Sequence, residues 1–116
     1  MASTAEPGRA DAPAPSPAAQ HFVFLLVEDH THLTLACATE PLRIANLIRG
    51  EPLYSWSYAS EDGVSATASN GSVTLVQHRF DALPKCDRLF VIPGLGMTAH
   101  ITPALLGCLR RARTSA

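Results

Sequence analysis

Residues 21–50 read HFVFLLVEDHTHLTLACATEPLRIANLIRG and contain the two patterns that decide the fold. The run from His21 to Val27 is short, continuous and apolar, and it ends at two acidic residues, which is typical of a strand covered on both faces. From Thr31 to Arg49 the apolar residues recur at helical spacing, and Gly50 follows as a C-terminal stop. A buried strand followed directly by a helix predicts an α/β fold.

Pro41 interrupts the helical pattern. Proline inside a helix removes one backbone hydrogen bond and clashes with the preceding turn. We therefore expect the regular helix to begin near Thr39 or Glu40, with Pro41 in its first turn. Residues 31–38 would then form a turn or a short helical piece.

Four later segments predict the remaining elements. Leu53 to Ser60, LYSWSYAS, alternates in a way that predicts a strand with one aromatic face. Short β-prone runs flank Asn70-Gly71, a strong local signal for a β-hairpin. Arg88 to Ile92 predicts another buried strand, and Thr102-Pro103 predicts the N-cap and first residue of a final helix.

The order of these elements predicts a parallel sheet with crossover helices and a small β-hairpin insertion. The pattern offers only about three central strands, and a parallel sheet of that width leaves a long apolar edge uncovered. We therefore expect a truncated domain, or one that finds its missing strands in a partner.

The first 20 residues differ in composition from the rest. They read MASTAEPGRADAPAPSPAAQ and contain no aliphatic side chain larger than that of alanine after Met1. Such a segment cannot offset its own ordering entropy. We predict a disordered tail over residues 1–20 and one folded domain over residues 21–116.

Charge and cysteine content exclude several classes of protein. The net charge of −1 provides no basic field for nucleic acid, and no stretch of 18 apolar residues predicts a membrane span. Cys37, Cys86 and Cys108 are odd in number and lack a CxxC spacing, which indicates reduced thiols in a cytoplasmic protein. Cys37 and Cys108 lie among helical apolar residues, so we expect both in the core.

The segment from Gly94 to Ala99, GLGMTA, matches the G-x-G-x-x-A pattern of dinucleotide-binding loops. Such a loop follows the first strand of its unit and needs an acidic residue about 20 positions later, whereas no acidic residue follows Asp87 here. No nucleotide cofactor is predicted. Two interpretations stay open: a turn whose backbone N–H groups hold an anion or oxyanion, and a tight corner that needs glycine.

Two polar groups are further candidates. His30 and His32, with Cys37 five residues on, resemble part of a metal cluster, but no fourth ligand has a conventional spacing, so no metal is predicted. Glu40 lies beside Pro41, where a carboxylate suits the helix dipole. Alternatively, the Glu40 carboxylate faces a ligand pocket above the sheet.

Four segments together resemble the ThiJ/PfpI superfamily, whose fold is similar to class I glutamine amidotransferases. They are HFVFLLVEDHTHLTLACATEPLRIANLI, LYSWSYASEDG, ATASNGSVTL and CDRLFVIPGLG. The most similar group is the GlxA-type group of AraC-family transcription regulators, in which such a domain precedes a helix-turn-helix module. The resemblance covers about residues 21–113 and includes E-P-L-R-x-A-N at Glu40 to Asn46 and S-N-G at Ser69 to Gly71.

The resemblance implies a flavodoxin-like α/β sandwich, usually dimeric, with a pocket at the carboxyl ends of the strands. Enzymes of the superfamily carry a cysteine on a strand-to-helix elbow, assisted by an acidic residue near the first helix and by backbone amides of the glycine turn. The elbow is expected just beyond Arg113, where this sequence stops, so no catalytic residue is predicted. Thr34 stands where hydratase-like members have aspartate in L-L-D-L-A-G-P-x-E, and a hydroxyl cannot supply the same charge.

The sequence therefore predicts part of the ligand-sensing, dimerising domain of a cytoplasmic bacterial regulator, without its helix-turn-helix module. The expected partners are a small metabolite and a second copy of the chain, with no direct contact to nucleic acid or membrane and no cofactor. The predicted pocket residues are Thr34, Glu40, Gly94, Leu95 and Gly96. The alternatives are a truncated ThiJ/PfpI-type hydrolase, hydratase or deglycase whose cysteine lies beyond the chain end, and a remnant that folds poorly.

Overall fold

The computed structural model describes residues 19–115, so residues 1–18 of the predicted tail lie outside the described residues. Strands and helices follow one another along this part of the chain. In order they are β1 (Gln20–Leu26), α1 (His32–Arg49), β2 (Tyr54–Ser60), β3 (Ser65–Thr67), β4 (Val73–Leu75), β5 (His78–Arg79), β6 (Arg88–Ile92), a 3₁₀ turn (Met97–His100) and α2 (Pro103–Ser115).

The central sheet is parallel and has the strand order β5-β2-β1-β6. The predicted flavodoxin-like α/β fold is confirmed, with one strand more than expected. Strand β5 consists of two residues, too few to produce a periodic pattern, and it is defined by the pairs Ala59–His78 and Ser60–Arg79. The predicted hairpin is the antiparallel pair β3–β4, and Gly71 adopts the positive φ of 91° that favours glycine in its turn.

Two hydrophobic clusters cover the two faces of the sheet, because side chains alternate along β1. Phe24 and Leu26 point toward α1, where Leu35 completes the packing. Val23 and Leu25 point toward α2 and pack in one cluster with Leu105. Each of these buried side chains stabilises the fold by about 1.5–3 kcal/mol. Helices α1 and α2 therefore pack against opposite faces of β1.

Helix α1 runs without a break from His32 to Arg49, so the expected start near Thr39 is wrong. Pro41 lies inside the helix, where it cannot donate a hydrogen bond to the carbonyl of Cys37. Cys37 and Pro41 are both exposed, and that carbonyl can bond to water instead. Leu35 and Thr39, in contrast, are buried and attach the first half of the helix to the sheet.

The exposed side of α1 carries apolar residues at helical spacing. The expectation of a core position for Cys37 is wrong, because its side chain is exposed on this helix. The exposed row, called here the α1 row, consists of Leu33, Ile44, Leu47 and Ile48. At the end of the helix, Asn46 joins α1 to β2 because its side chain both donates to the carbonyl of Tyr54 (2.8 Å) and accepts from its N–H (2.9 Å).

Helix α2 begins as the sequence predicts. The Thr102 hydroxyl accepts a hydrogen bond from the N–H of Leu105 at 3.3 Å, and Pro103 is the first helical residue. Leu105 and Cys108 are buried, which confirms the core position expected for Cys108, whereas Leu106 is exposed. Neither α1 nor α2, the α-helices of the described part of the chain, is long and apolar enough to span a bilayer.

Candidate ligand site at the carboxyl ends of the strands

A cavity of about 640 Å³ opens where β1 and β2 end, on the α2 side of the sheet. Ligands of open α/β sheets bind at this edge, because the loops that leave parallel strands converge there. The lining is rich in charge. Its titratable side chains are Glu28, Glu61, Asp62, Arg79, Asp81 and His100.

Hydrogen bonds hold the acidic side chains of this cavity in place. Glu28 accepts a bond from the N–H of Thr67 at 3.0 Å, and thereby joins the end of β1 to the hairpin. Glu61 accepts a bond from the Thr102 hydroxyl at 3.0 Å, and thereby joins the end of β2 to the start of α2. Arg79 forms an ion pair with Asp81 at 3.2 Å. Because Asp81 is paired with Arg79, the charges of Glu28, Glu61 and Asp62 give the cavity a negative charge.

Asp62 is the carboxylate with the clearest electrostatic character. It accepts hydrogen bonds from the N–H of Val64 at 2.8 Å, from the Ser60 hydroxyl at 2.9 Å and from the N–H of Ser65 at 3.2 Å. These bonds favour the ionised form and hold the pKa of Asp62 below its usual value, with the Val64 N–H as the largest cause. Asp62 is therefore a permanent negative charge near neutral pH.

The glycine turn after β6 packs against the turn that follows β1. A Cβ on Gly94 would lie 2.1 Å from the carbonyl oxygen of Asp29, so only glycine fits there. The N–H of Thr31 donates to the carbonyl of Pro93 at 3.0 Å and ties the same two turns together. Asp29 has a φ of 63°, and its carboxylate pairs with His100 at 3.0 Å. Of the two interpretations of this turn, the tight corner has a direct steric basis at Gly94.

The other predicted pocket residues lie apart from this cavity. Thr34 and Glu40 are exposed on α1, which covers the opposite face of the sheet. Glu40 accepts two hydrogen bonds from Arg43, at 2.8 and 3.0 Å, and hydrogen bonding to Arg43 is the largest cause that lowers the pKa of Glu40. Leu95 is fully exposed, and a Cβ on Gly96 would meet only the His100 ring at 3.9 Å. None of the five predicted residues lines the cavity.

His30 is the most buried polar residue of this region, with none of its surface exposed. Its Nδ1 lies 2.9 Å from the carbonyl oxygen of Val27, and because a carbonyl only accepts, Nδ1 carries the proton. Its Nε2 has no partner among the described residues. His32 and Cys37 are exposed, and the part of the chain from 19 to 115 contains no group of three His, Cys, Asp or Glu residues that could hold a metal.

Neither thiol on the α2 face is suited to nucleophilic chemistry. Burial raises the pKa of Cys108, and burial with a smaller effect from Asp87 raises that of Cys86. Reactive cysteines need the opposite shift, since the thiolate is the nucleophile.

Sequence patterns did not predict a site formed by Glu28, Glu61, Asp62, Arg79 and Asp81. These residues come from the loops after β1 and β2 and from the end of β5, and only the fold brings them together. A signal was present in the sequence. An acidic pair follows β1 after one residue and another follows β2 directly, and the carboxyl ends of neighbouring parallel strands share one edge.

The fold and this site define a flavodoxin-like α/β domain with a cavity at its strand ends. Two solved structures share the fold. An AraC family transcriptional regulator from Pseudomonas putida superposes with a TM-score of 0.70 at 23% identity, over 82% of this chain and 51% of that one. A DJ-1 superfamily protein from Agrobacterium tumefaciens superposes with a TM-score of 0.59 at 22% identity, over 83% of this chain and 49% of that one.

The curated relatives that the chain resembles are transcription regulators. It is 38% identical over 92 residues to the HTH-type transcriptional regulator CdhR of Pseudomonas aeruginosa, covering 79% of this chain and 27% of CdhR. It is 37% identical over 83 residues to the regulator GbdR of the same species, covering 72% of this chain and 23% of GbdR. It is 42% identical over 52 residues to the regulator GlxA of Rhizobium meliloti, covering 45% of this chain and 16% of GlxA.

The chain is thus a homologue of HTH-type transcriptional regulators and has the fold of the DJ-1/ThiJ superfamily, which confirms the resemblance predicted from its sequence. It spans about a quarter of the length of CdhR and GbdR. No family model matches the sequence.

Proposed function

We propose that residues 21–116 form the ligand-sensing part of a cytoplasmic bacterial AraC-family transcription regulator. Homology to HTH-type regulators supports the regulatory role. The observation that carries the sensing role is the cavity of about 640 Å³ at the carboxyl ends of β1 and β2. Helices α1 and α2 lie on opposite faces of the sheet, so they do not form the adjacent pair that inserts into DNA.

The charge of the cavity favours a small metabolite with a positively charged group. Glu28, Glu61 and Asp62 face it together, whereas the Arg79 guanidinium is already paired with Asp81. A cationic ligand would replace hydration with these fixed carboxylates, and an anionic ligand would be repelled. The residues predicted from sequence, Thr34, Glu40, Gly94, Leu95 and Gly96, remain candidates for a second contact region outside this cavity.

Thermal shift against small metabolites of each charge type tests this proposal. We expect a cationic compound to raise the melting temperature of the chain, because a ligand that binds only the folded state stabilises it. Glu61→Gln should weaken that effect, since it removes one cavity charge while keeping a side chain that can bond to Thr102. Glu51→Gln, at an exposed position outside the cavity, is the matched control. Stabilisation by anionic compounds alone, or an unchanged response in Glu61→Gln, would contradict the proposed ligand class.

The expected homodimer is also proposed, with the α1 row as its contact surface. Leu47 and Ile48 are 61% and 78% exposed, and with Leu33 and Ile44 they place apolar side chains along one side of the helix. Exposed apolar side chains grouped on one side of a helix can mark an interaction site on a soluble protein. A second copy supplies an identical apolar surface, as two-fold symmetric dimers require.

Sedimentation velocity measures this association. We expect Ile48→Glu to shift the chain toward monomer, because it would bury a charge in the interface. Val64→Glu is a suitable control, since Val64 is 63% exposed but lies next to the hairpin instead of on α1. Equal sedimentation of the two variants and the unmodified chain would contradict the proposed surface.

A further inference from the structure

A second group of titratable side chains lies outside the cavity, where two histidines share one serine hydroxyl. His21 Nε2 lies 3.2 Å from Ser57 Oγ, and His78 Nε2 lies 3.1 Å from the same oxygen. The other ring nitrogen of His21, Nδ1, lies 2.7 Å from Ser55 Oγ. Both serines are buried and both histidines are half-buried.

Repulsion between the two rings, whose Nε2 atoms both lie within 3.2 Å of Ser57 Oγ, limits how many protons the network accepts. The Ser57 hydroxyl has one proton to donate and two lone pairs, so it can donate to one ring and accept from the other, or accept from both. A single proton on His21 is accommodated, because His21 then donates to both serines and Ser57 donates to neutral His78. A second proton, on His78, makes both Nε2 groups donors toward the same oxygen and places two positive charges across it.

The surrounding charges do not offset that cost. The Asp87 carboxylate acts to raise the pKa of His21 and accepts a hydrogen bond from the backbone N–H of His21 at 2.8 Å. Burial nevertheless outweighs its attraction, so the pKa of His21 is lowered. Burial and the neighbouring His21 lower the pKa of His78 as well. The other charged residues across the adjacent cavity of about 950 Å³ are Asp81, Lys85, Arg88 and Arg111.

His78 is directly connected to the strand-end cavity. It belongs to β5, which is attached to β2 by a ladder of two residue pairs. The next residues, Arg79, Phe80 and Asp81, all line that cavity. The N–H of Phe80 donates to the carbonyl of Ser60 at 3.0 Å, so the cavity wall depends on the same short attachment.

We propose that the His21–Ser57–His78 network is a proton-responsive contact, in which uptake of a second proton loosens β5 from β2 and displaces the Arg79–Asp81 wall of the cavity. Acidification then allows residues 79–81, which a ligand would contact, to move away from the cavity. This last consequence rests on the proposed sensing function, whereas the proton response itself does not.

Histidine ring titration by NMR on the 116-residue chain tests the coupling. We expect the midpoints of His21 and His78 to lie below the ordinary histidine pKa. We also expect His21→Gln to raise the midpoint of His78, because it removes the like charge but keeps a hydrogen-bonding side chain. His32→Gln is the control and should leave the His78 midpoint unchanged. A His78 midpoint that does not respond to His21→Gln overturns the proposal.

Amide hydrogen exchange tests the structural consequence without any ligand. Between about pH 7.5 and about pH 5.5, where histidine titrates, protection factors of residues 78–81 should fall more than those of β1, and His78→Gln should abolish the difference. Because no ligand is added, this result is independent of the thermal-shift test. Uniform protection across β5 and β1 at both pH values overturns the proposal even if a metabolite binds.

Discussion

Gly94→Ala is the substitution that most sharply tests the packing of the glycine turn. The added Cβ would lie 2.1 Å from the carbonyl oxygen of Asp29 and 3.1 Å from the Cα of His30, both of which are backbone atoms. Optimal contact begins near about 3.5 Å, so the turn after β6 must move away from the turn after β1. Such movement strains the turns, at about 1–3 kcal/mol for overpacking, and breaks the Thr31–Pro93 hydrogen bond, at about 1 kcal/mol.

We therefore expect Gly94→Ala to lower the free energy of unfolding by about 2–4 kcal/mol, which corresponds to a fall in melting temperature of about 10–25 °C for a domain of this size. Thermal unfolding followed by circular dichroism measures it. Gly96→Ala is the matched control two residues away. Its Cβ would meet only the His100 ring at 3.9 Å, and its φ of −90° suits any residue, so it should change stability by less than about 1 kcal/mol. Equal stability of the two variants would refute the steric argument.

Three further predictions concern the contacts or the burial of individual side chains. Thr102→Ala should cost about 1–2 kcal/mol in unfolding free energy, because it removes the α2 cap and the bond to Glu61, whereas Thr102→Ser should retain most of the stability. Asn46→Ala should cost about 1–3 kcal/mol, since it leaves a donor and an acceptor of β2 without partners. In thiol alkylation followed by mass spectrometry, exposed Cys37 should react first, and Cys108, buried and with a raised pKa, should react only on unfolding. Rapid labelling of Cys108 in the folded chain would contradict its core position.

Acidification should destabilise the folded chain through His21 and His78. Their pKa values are lowered in the folded state, so the unfolded state binds more protons as the pH falls. This stability is fully present above about pH 6.5, the ordinary histidine pKa. It is lost as the pH falls from there through the folded pKa values. The free energy of unfolding then falls by up to about 1.4 kcal/mol per pH unit for each proton. Chemical denaturation at several pH values measures this slope, and His78→Gln should reduce it. A slope in that variant equal to that of the unmodified chain would contradict the assignment.

The fold could be predicted because its patterns are local and regular. The apolar runs of β1 and β6, the aromatic alternation of β2 and the Asn70-Gly71 turn each correspond to one element of the structure. The error at Pro41 has a physical cause: propensity alone favours a helix start there, but packing of Leu35 and Thr39 against the sheet compensates for the missing hydrogen bond. Strand β5 has no sequence pattern, because two residues show no period and its pairing to β2 is a tertiary feature.

The site was less accessible to sequence reasoning. The family pattern drew attention to Thr34 and Glu40, yet both are exposed on α1, and Glu40 is engaged with Arg43. The cavity carboxylates come from loops far apart in the chain. The requirement for glycine at position 94 arises because the turn after β6 packs against the Asp29 carbonyl in the turn after β1. Such long-range relations appear only once the register of the sheet is known.

The central claim is that a small metabolite binds at the carboxyl ends of β1 and β2. Backbone amide NMR of the 116-residue chain, titrated with the compound that gives the largest thermal shift, tests it most directly. We predict that the perturbed amides cluster at Glu28, at residues 61–65 and at Thr102, all of which belong to or adjoin the cavity. Perturbations confined to the α1 row, or spread evenly over the sheet, would contradict the account.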